Sequence, residues 1–376
     1  MSIAPERPDP RSKRLTSLDA LRGFDMMWIM GADALGNALS HLNGGPIARF
    51  AATQLDHVTW AGIRFYDTIF PLFVFMVGVA IPYSLDRIVA VSGRREAVVR
   101  IARRTVLLFL IGLFYYGGLA TALDQVRLLG VLQRIALCYC GASLVYLWFK
   151  PRALVGVVCA LLVGYWALLT FVPVPGFGAG DFREGHNLTN WIDAHYLPFR
   201  KWDGDHDPEG ILSTFPAIAS CLLGVITGRW LRDPARGEWQ KAGLLAATGA
   251  VLIALGFAWG VEFPLIKKIW TSSFVLVAGG WSMLLLSGFY VVADIWKIRA
   301  WLRPFVWIGT NALAIYLFSN VVNFGSLSER FAGGQVAAGL NGAWPGLGDM
   351  VLALVSIALC MLLAGFLYRR KIFLRL

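Results

Sequence analysis

The sequence predicts an all-α, polytopic transmembrane helical bundle of about ten spans, and three observations carry that reading. Hydrophobic residues make up 57% of the 376 residues and charged residues 15%, against roughly 25% charged in soluble domains. Apolar stretches of ~20 residues, enough to cross ~30 Å of hydrocarbon, recur along the whole chain. Lysine and arginine favour the same side at each crossing, as positive-inside topology requires.

The spans fall at about 18–40, 60–84, 104–121, 127–149, 153–172, 211–230, 241–260, 271–293, 304–324 and 349–368. Residues 1–13, rich in proline and charge, read as a flexible cytoplasmic tail. Residues 14–376 read as a single transmembrane domain with an outer loop at 173–210. Basic clusters bound the spans in order. Arg11, Lys13 and Arg14 precede the first, while Arg87, Arg94, Arg95, Arg100, Arg103 and Arg104 separate the second from the third. Lys150 and Arg152 follow the fourth, Arg229, Arg232 and Arg236 the sixth, Lys297 and Arg299 the eighth, and Arg369 to Lys371 the tenth. Both termini are therefore expected in the cytoplasm.

The net charge of +11 is explained by this topology, with anionic lipid of the inner leaflet as its partner. It calls for no nucleic acid. The first span is too long and too charged for a cleavable signal. The five cysteines (Cys138, Cys140, Cys159, Cys221, Cys360) all lie in apolar spans, so disulfides are not expected. Cys138-x-Cys140 lacks further ligands for a metal.

The outer loop is acidic, with Asp181, Glu184, Asp193, Asp203, Asp205, Asp207 and Glu209 set against Arg183, Arg200 and Lys201. It also holds His186, His195, His206, Trp191 and Trp202. Such a loop suits a cationic or sugar-like ligand, although a solvated surface loop has the same composition. The run DGDHDPE at 203–209 lacks EF-hand spacing, and no metal is expected.

Ionisable residues inside apolar segments are functional-site candidates by default. In the first span Asp19, Arg22, Asp25 and Asp33 share an arc of ~120° at about 100° per residue. Asp19 and Arg22 suit a structural i, i+3 pair, whereas Asp33 lies near the outer end. In the second, a helix already formed at residue 57 places His57 and Arg64 within ~20° of each other and Asp67 ~15 Å deeper. Histidine exchanges protons near neutral pH. Arg134 of the fourth span is within reach of Asp67 or Asp33, as a structural or a functional pair.

Several ordered blocks carry a family resemblance. RLTSLDALRGFDM (Arg14–Met26), His57-x-x-Trp60-x-Gly62 and Asp67-x-x-Phe70-Pro71-x-Phe73-x-Phe75-x-x-Gly78 lead the series. GVLQRIALCY (Gly130–Tyr139), DPEGILSTFPAIAS (Asp207–Ser220), KKIWTSSF (Lys267–Phe274) and IGTNALAIY (Ile308–Tyr316) follow. Together they resemble the heparan-α-glucosaminide N-acetyltransferase family, and within it the bacterial NagX-like members.

The resemblance implies transfer of acetyl from cytoplasmic acetyl-CoA to the amine of a glucosamine-type sugar across a bacterial inner membrane. It matches His57 to the family's active-site histidine and Asp67 to its buried aspartate. Asp33 stands where the lysosomal member has an asparagine, and a carboxylate donates no hydrogen bond unless protonated. His57, Asp67 and Asp33 are thus the catalytic candidates. Arg64, Arg134, Asp207, Glu209, Lys268 and Asn311 are the candidates for binding substrate. His57 serves either as general base or as acetyl carrier. Arg94, Arg95, Arg103 and Arg104 are candidates for the phosphates of CoA, or an orientation signal alone. The remaining readings are an amino-sugar transporter without acyl chemistry and a sugar O-acetyltransferase. Self-association as a homodimer is left open.

Overall fold

A computed structural model describes residues 15–42, 44–120 and 122–374; the expected tail at 1–13 lies outside them. The described chain is helical throughout, with isolated β-bridges only in the connections. Seven helical segments are long and apolar enough to cross a membrane. One of them, Phe65–Tyr115, contains α3 (Ile69–Tyr115), whose 47 residues would extend ~70 Å if straight. It is broken at Gly93, where φ is 80°. Asp86 before the break and Arg104 after it both meet α4 (Val131–Trp148), through Tyr146 and Tyr139. This segment therefore crosses twice.

Two further crossings complete a bundle of about ten. The charged α1 (Thr16–His41) is one. The other is a discontinuous helix, α10 (Arg303–Thr310) and α11 (Ala312–Val321), interrupted at Asn311. The remaining spans are α5 (Pro151–Phe171), α7 (Thr214–Arg232), α8 (Glu238–Trp259), α9 (Ser272–Tyr290) and α14 (Leu347–Arg369). Short helices α2 (Gly45–Gln54), α6 (Leu188–Tyr196), α12 (Phe324–Ala332) and α13 (Gln335–Ala343) lie in connections.

Small residues let the helices meet closely, as lipid-embedded packing favours. A Cβ on Gly78 would stand 1.9 Å from the Cys221 carbonyl oxygen, and one on Gly224 2.0 Å from that of Phe75. The α3–α7 crossing is thus closed by backbone contact. At one end of the bundle Arg232 pairs with Asp86 and Tyr290 donates to Glu238. At the opposite end the connections at 55–68, 116–130, 173–213 and 260–271 converge.

The second span differs from its expected geometry. Residues 55–64 are not helical; they run as an irregular strap tied to the segment before α9. Gly62 N–H donates to the Leu265 carbonyl at 2.8 Å, and Trp60 Nε1 donates to the Phe182 carbonyl at 2.8 Å. Gly62 holds φ at 124°, a value open to glycine and rarely to other residues.

Candidate active site

The strap folds His57 back over the 3-10 turn Phe65–Thr68 that begins the span. Asp67 therefore lies directly beneath the imidazole, with Oδ1 2.9 Å from His57 Nδ1, and not ~15 Å away as a continuous helix requires. Asp67 is 1% exposed and its other oxygen accepts from the backbone N–H of Arg64 at 3.1 Å and of Val58 at 3.3 Å. An acceptor fixed at Nδ1 selects the tautomer that leaves the lone pair on Nε2. The ring also stacks on Tyr66, centroids 4.4 Å apart and planes 9° apart.

Lys267 closes the third side. Its Nζ stands 3.0 Å from His57 Nδ1, 3.3 Å from Nε2 and 3.4 Å from Asp67 Oδ1. Burial holds this ammonium below the ordinary lysine range, against the pull of Asp67. The sequence reading named its neighbour Lys268 and passed over Lys267. The available signal was two adjacent lysines on the side where topology disfavours cations.

A cavity of about 330 Å³ opens above these groups, lined also by Trp60, Arg127, Trp202, Glu209 and Lys268. Arg127 lies between the rings of Tyr116 and Trp202, at 4.7 and 4.8 Å. It donates to Asp207 at 2.8 and 2.7 Å and to Glu209 at 2.6 Å. Burial alone opposes its charge, but the two carboxylates outweigh that cost and hold Arg127 above its ordinary range. Burial likewise pushes Glu209 up, with Arg127 pulling against it.

The remaining candidates are spread around this centre. Asp33 is exposed and lies behind Tyr66, sharing a polar groove with Asp56 and Arg64. Arg64 donates to Asp56 at 3.1 Å and to the His57 carbonyl at 2.9 Å, so it braces the strap. Arg134 meets neither Asp67 nor Asp33 in any bond. It donates to Ser213 Oγ at 2.6 Å and to the Pro208 and Gly210 carbonyls at 3.2 Å each, because the irregular chain entering α7 leaves those oxygens without helical donors. Asn311 is buried in the α10–α11 break, its amide atoms without hydrogen-bond partners among the described residues. Of the first-span charges, Asp19 and Arg22 approach to 3.5 Å, and Asp25 is fully buried.

A second cavity, about 410 Å³, lies deeper and carries Arg22 and Arg104 on its wall. It shares Ile29, Phe70, Val131 and Tyr316 with the outer one, so the two chambers meet at a common apolar wall. Arg94, Arg95 and Arg103 are exposed and line neither.

Comparison with known proteins finds relatives of the chain as a whole. Residues 14–180 match a family model described as a domain of unknown function (DUF5009). Human heparan-α-glucosaminide N-acetyltransferase is 27% identical to this chain across 96% of it, and the mouse protein of that name is 25% identical across 98%. The chain is similar to these two N-acetyltransferases over nearly its whole length. It spans 59% of the length of the human relative and 61% of the mouse one. The outer cavity joins residues from four separate sequence blocks. His57 and Asp67 come from the second span and its strap, Arg127 from the connection before α4, Glu209 from the outer loop, and Lys267 from the loop before α9.

Proposed function

We propose that this protein is a membrane-embedded acetyltransferase that moves acetyl from acetyl-CoA to the amine of a glucosamine-type sugar. The observation that carries the reading is the His57–Asp67 pair at the floor of an outer cavity that meets an inner, arginine-bearing one. The acetyltransferase names of the relatives support it. The basic connections lie at the end of the bundle opposite His57, which by the positive-inside rule is the cytoplasmic end. The acceptor then arrives from the far side, with both termini in the cytoplasm of a bacterial inner membrane.

The residues suit the donor. Arg104 Nε is shielded from solvent and has no hydrogen-bond partner among the described residues, while its guanidinium stacks on Tyr139 at 4.6 Å. A free guanidinium edge on a cavity wall is a fitting place for a phosphate. Arg94, Arg95 and Arg103 are exposed on the same helical segment and add long-range attraction for an anionic donor. The apolar wall between the chambers suits a thioester arm.

In the outer cavity the acceptor amine attacks the acetyl carbon. The carbon–sulfur bond breaks as the carbon–nitrogen bond forms, and His57 Nε2 takes the amine proton and returns it to the departing thiolate. The imidazolium formed in passing rests on the Asp67 carboxylate. Glu209, on the cavity wall, accepts from sugar hydroxyls or the amine, Asp207 is buried behind it and holds Arg127, and Lys268 donates. Lys267 faces the carbonyl side, where negative charge develops.

The test is purified protein in lipid nanodiscs, supplied with acetyl-CoA and glucosamine, with free thiol and N-acetylated sugar both measured. Equal yields of the two support the reading. Sugar uptake by proteoliposomes without any thiol release would overturn it in favour of a transporter. Labelled acetyl that stays on His57 after CoA is removed would assign the carrier route over direct transfer.

A further inference from the structure

We infer that Glu184, Asp203 and His206 form a divalent metal site, matched best to Zn²⁺, at the mouth of the outer cavity. The ligand atoms of these three side chains all lie within 4.8 Å of one another. His206 supplies the deciding observation. Its side chain is 4% exposed, and its Nε2 is sealed from solvent with no hydrogen-bond partner among the described residues.

The orientation of that nitrogen is fixed from behind. His206 Nδ1 lies 2.6 Å from Asp205 Oδ1, so Nδ1–H donates and the lone pair sits on Nε2. Metal-binding histidines are held in this way, by a carboxylate on the nitrogen that does not bind. Nε2 points at two carboxylate oxygens, Glu184 Oε1 at 3.5 Å and Asp203 Oδ2 at 3.7 Å. Three electron-rich atoms thus face one point. Tetrahedral Zn²⁺ with bonds of ~2.0–2.1 Å separates its ligands by ~3.3 Å; both imidazole–carboxylate distances are within a few tenths of an ångström of that, while the two carboxylates, within 4.8 Å of each other, close on the ion as it binds.

Lys268 marks where positive charge is already drawn. Its Nζ is 2.7 Å from Glu184 Oε1 and 3.1 Å from Asp203 Oδ2. The ammonium serves both carboxylates but leaves the imidazole lone pair unpartnered, whereas a metal ion serves all three. One imidazole with two carboxylates suits zinc better than Mg²⁺ or Ca²⁺, which prefer oxygen ligands alone. The metal and Lys268 therefore compete. Binding releases the ammonium toward Trp60, over whose ring it stands at 6.0 Å. Sequence spacing hides the site, because Glu184 lies well upstream of the 203–209 run and is brought in by the fold of the outer loop.

The experiment uses tag-free full-length protein in nanodiscs, stripped with chelator and titrated calorimetrically with Zn²⁺, with Co²⁺ as a visible-absorbance probe. About one equivalent is expected to bind. His206→Gln should lose the tight phase, and Asp205→Asn should weaken it by about 10–100-fold. Lys268→Met should tighten it, a gain that misfolding does not mimic. Absence of stoichiometric binding in the parent, unchanged binding in His206→Gln, or no tightening in Lys268→Met would each overturn the assignment.

Discussion

Lys267 Nζ stands 3.0 Å from His57 Nδ1, joining segments 210 residues apart in the chain. The contact places a partly buried cation against a histidine that rests on a buried carboxylate. Lys267→Met is expected to lower kcat/KM for acetyl transfer by about 10²-fold or more, the scale of losing one oriented donor at a reacting centre. Lys267→Arg, which keeps the charge but not its compact shape, should recover only part. Because burial lowers the lysine's pKa, its ammonium is lost at a pH below the ordinary lysine value. The alkaline limb of the pH–rate profile should accordingly fall early in the parent and move upward in Lys267→Arg. An alkaline limb that Lys267→Arg leaves in place would separate Lys267 from the reaction.

Asp67→Asn tests the floor of the site. An amide presents either a donor or an acceptor to His57 Nδ1 and removes the charge that an imidazolium needs, so kcat should fall by about 10²–10⁴-fold. His57→Ala should abolish transfer. Both variants should still elute as folded protein by gel filtration.

Much of this arrangement was legible in the sequence, and the remainder was hidden for physical reasons. Apolar length and charge bias gave the ten crossings, including the first, because its acids recur on one helical face. The same periodicity misled at His57. It holds only if the helix already includes residue 57, whereas Gly62 and the bonds from the strap to Leu265 and Phe182 hold residues 55–64 out of helix. Arg127 carries no distinguishing mark in its local sequence. Its stacking between Tyr116 and Trp202 joins loops far apart in sequence, which no local pattern encodes. Arg134 looked like a partner for a buried acid, but backbone carbonyls before α7 take its donors.

Asp193 of α6 provides a pH test of stability. Burial pushes its carboxyl up to about 6, against the backbone donors Ile211 and Asp207. A carboxyl whose folded pKa is raised binds more protons folded than unfolded, so it contributes stability below the ordinary carboxylate range. That contribution is lost as pH rises through about 6. The full loss is on the order of 3 kcal/mol. The parent should unfold at lower temperature at pH 7 than at pH 4.5, and Asp193→Asn should flatten this dependence. An unchanged slope in Asp193→Asn would assign the effect to other groups.

The α3–α7 crossing predicts a contrast between two glycines. Gly224→Ala sets a methyl 2.0 Å from the Phe75 carbonyl oxygen, forcing the helices apart at a cost of about 1–3 kcal/mol. Gly243→Ala in α8 meets nothing within 4 Å and gains helix propensity. Thermal unfolding in nanodiscs should therefore show a clear loss for the first and none for the second.

Arg104 separates specific donor binding from mere surface charge. Its guanidinium lies on the inner cavity wall against Tyr139, with Nε unpartnered among the described residues. Arg95 is exposed on the same side of the bundle. A charge-assisted hydrogen bond contributes about 1.5–3 kcal/mol, so Arg104→Ala should raise KM for acetyl-CoA by about 10–100-fold. Its kcat should change little, since binding shared by ground and transition states affects KM alone. Arg95→Ala acts only through long-range attraction and should stay within about twofold at physiological salt, where the Debye length is ~8 Å. Equal effects from the two variants would mean that the donor is held by surface charge and not by the cavity wall.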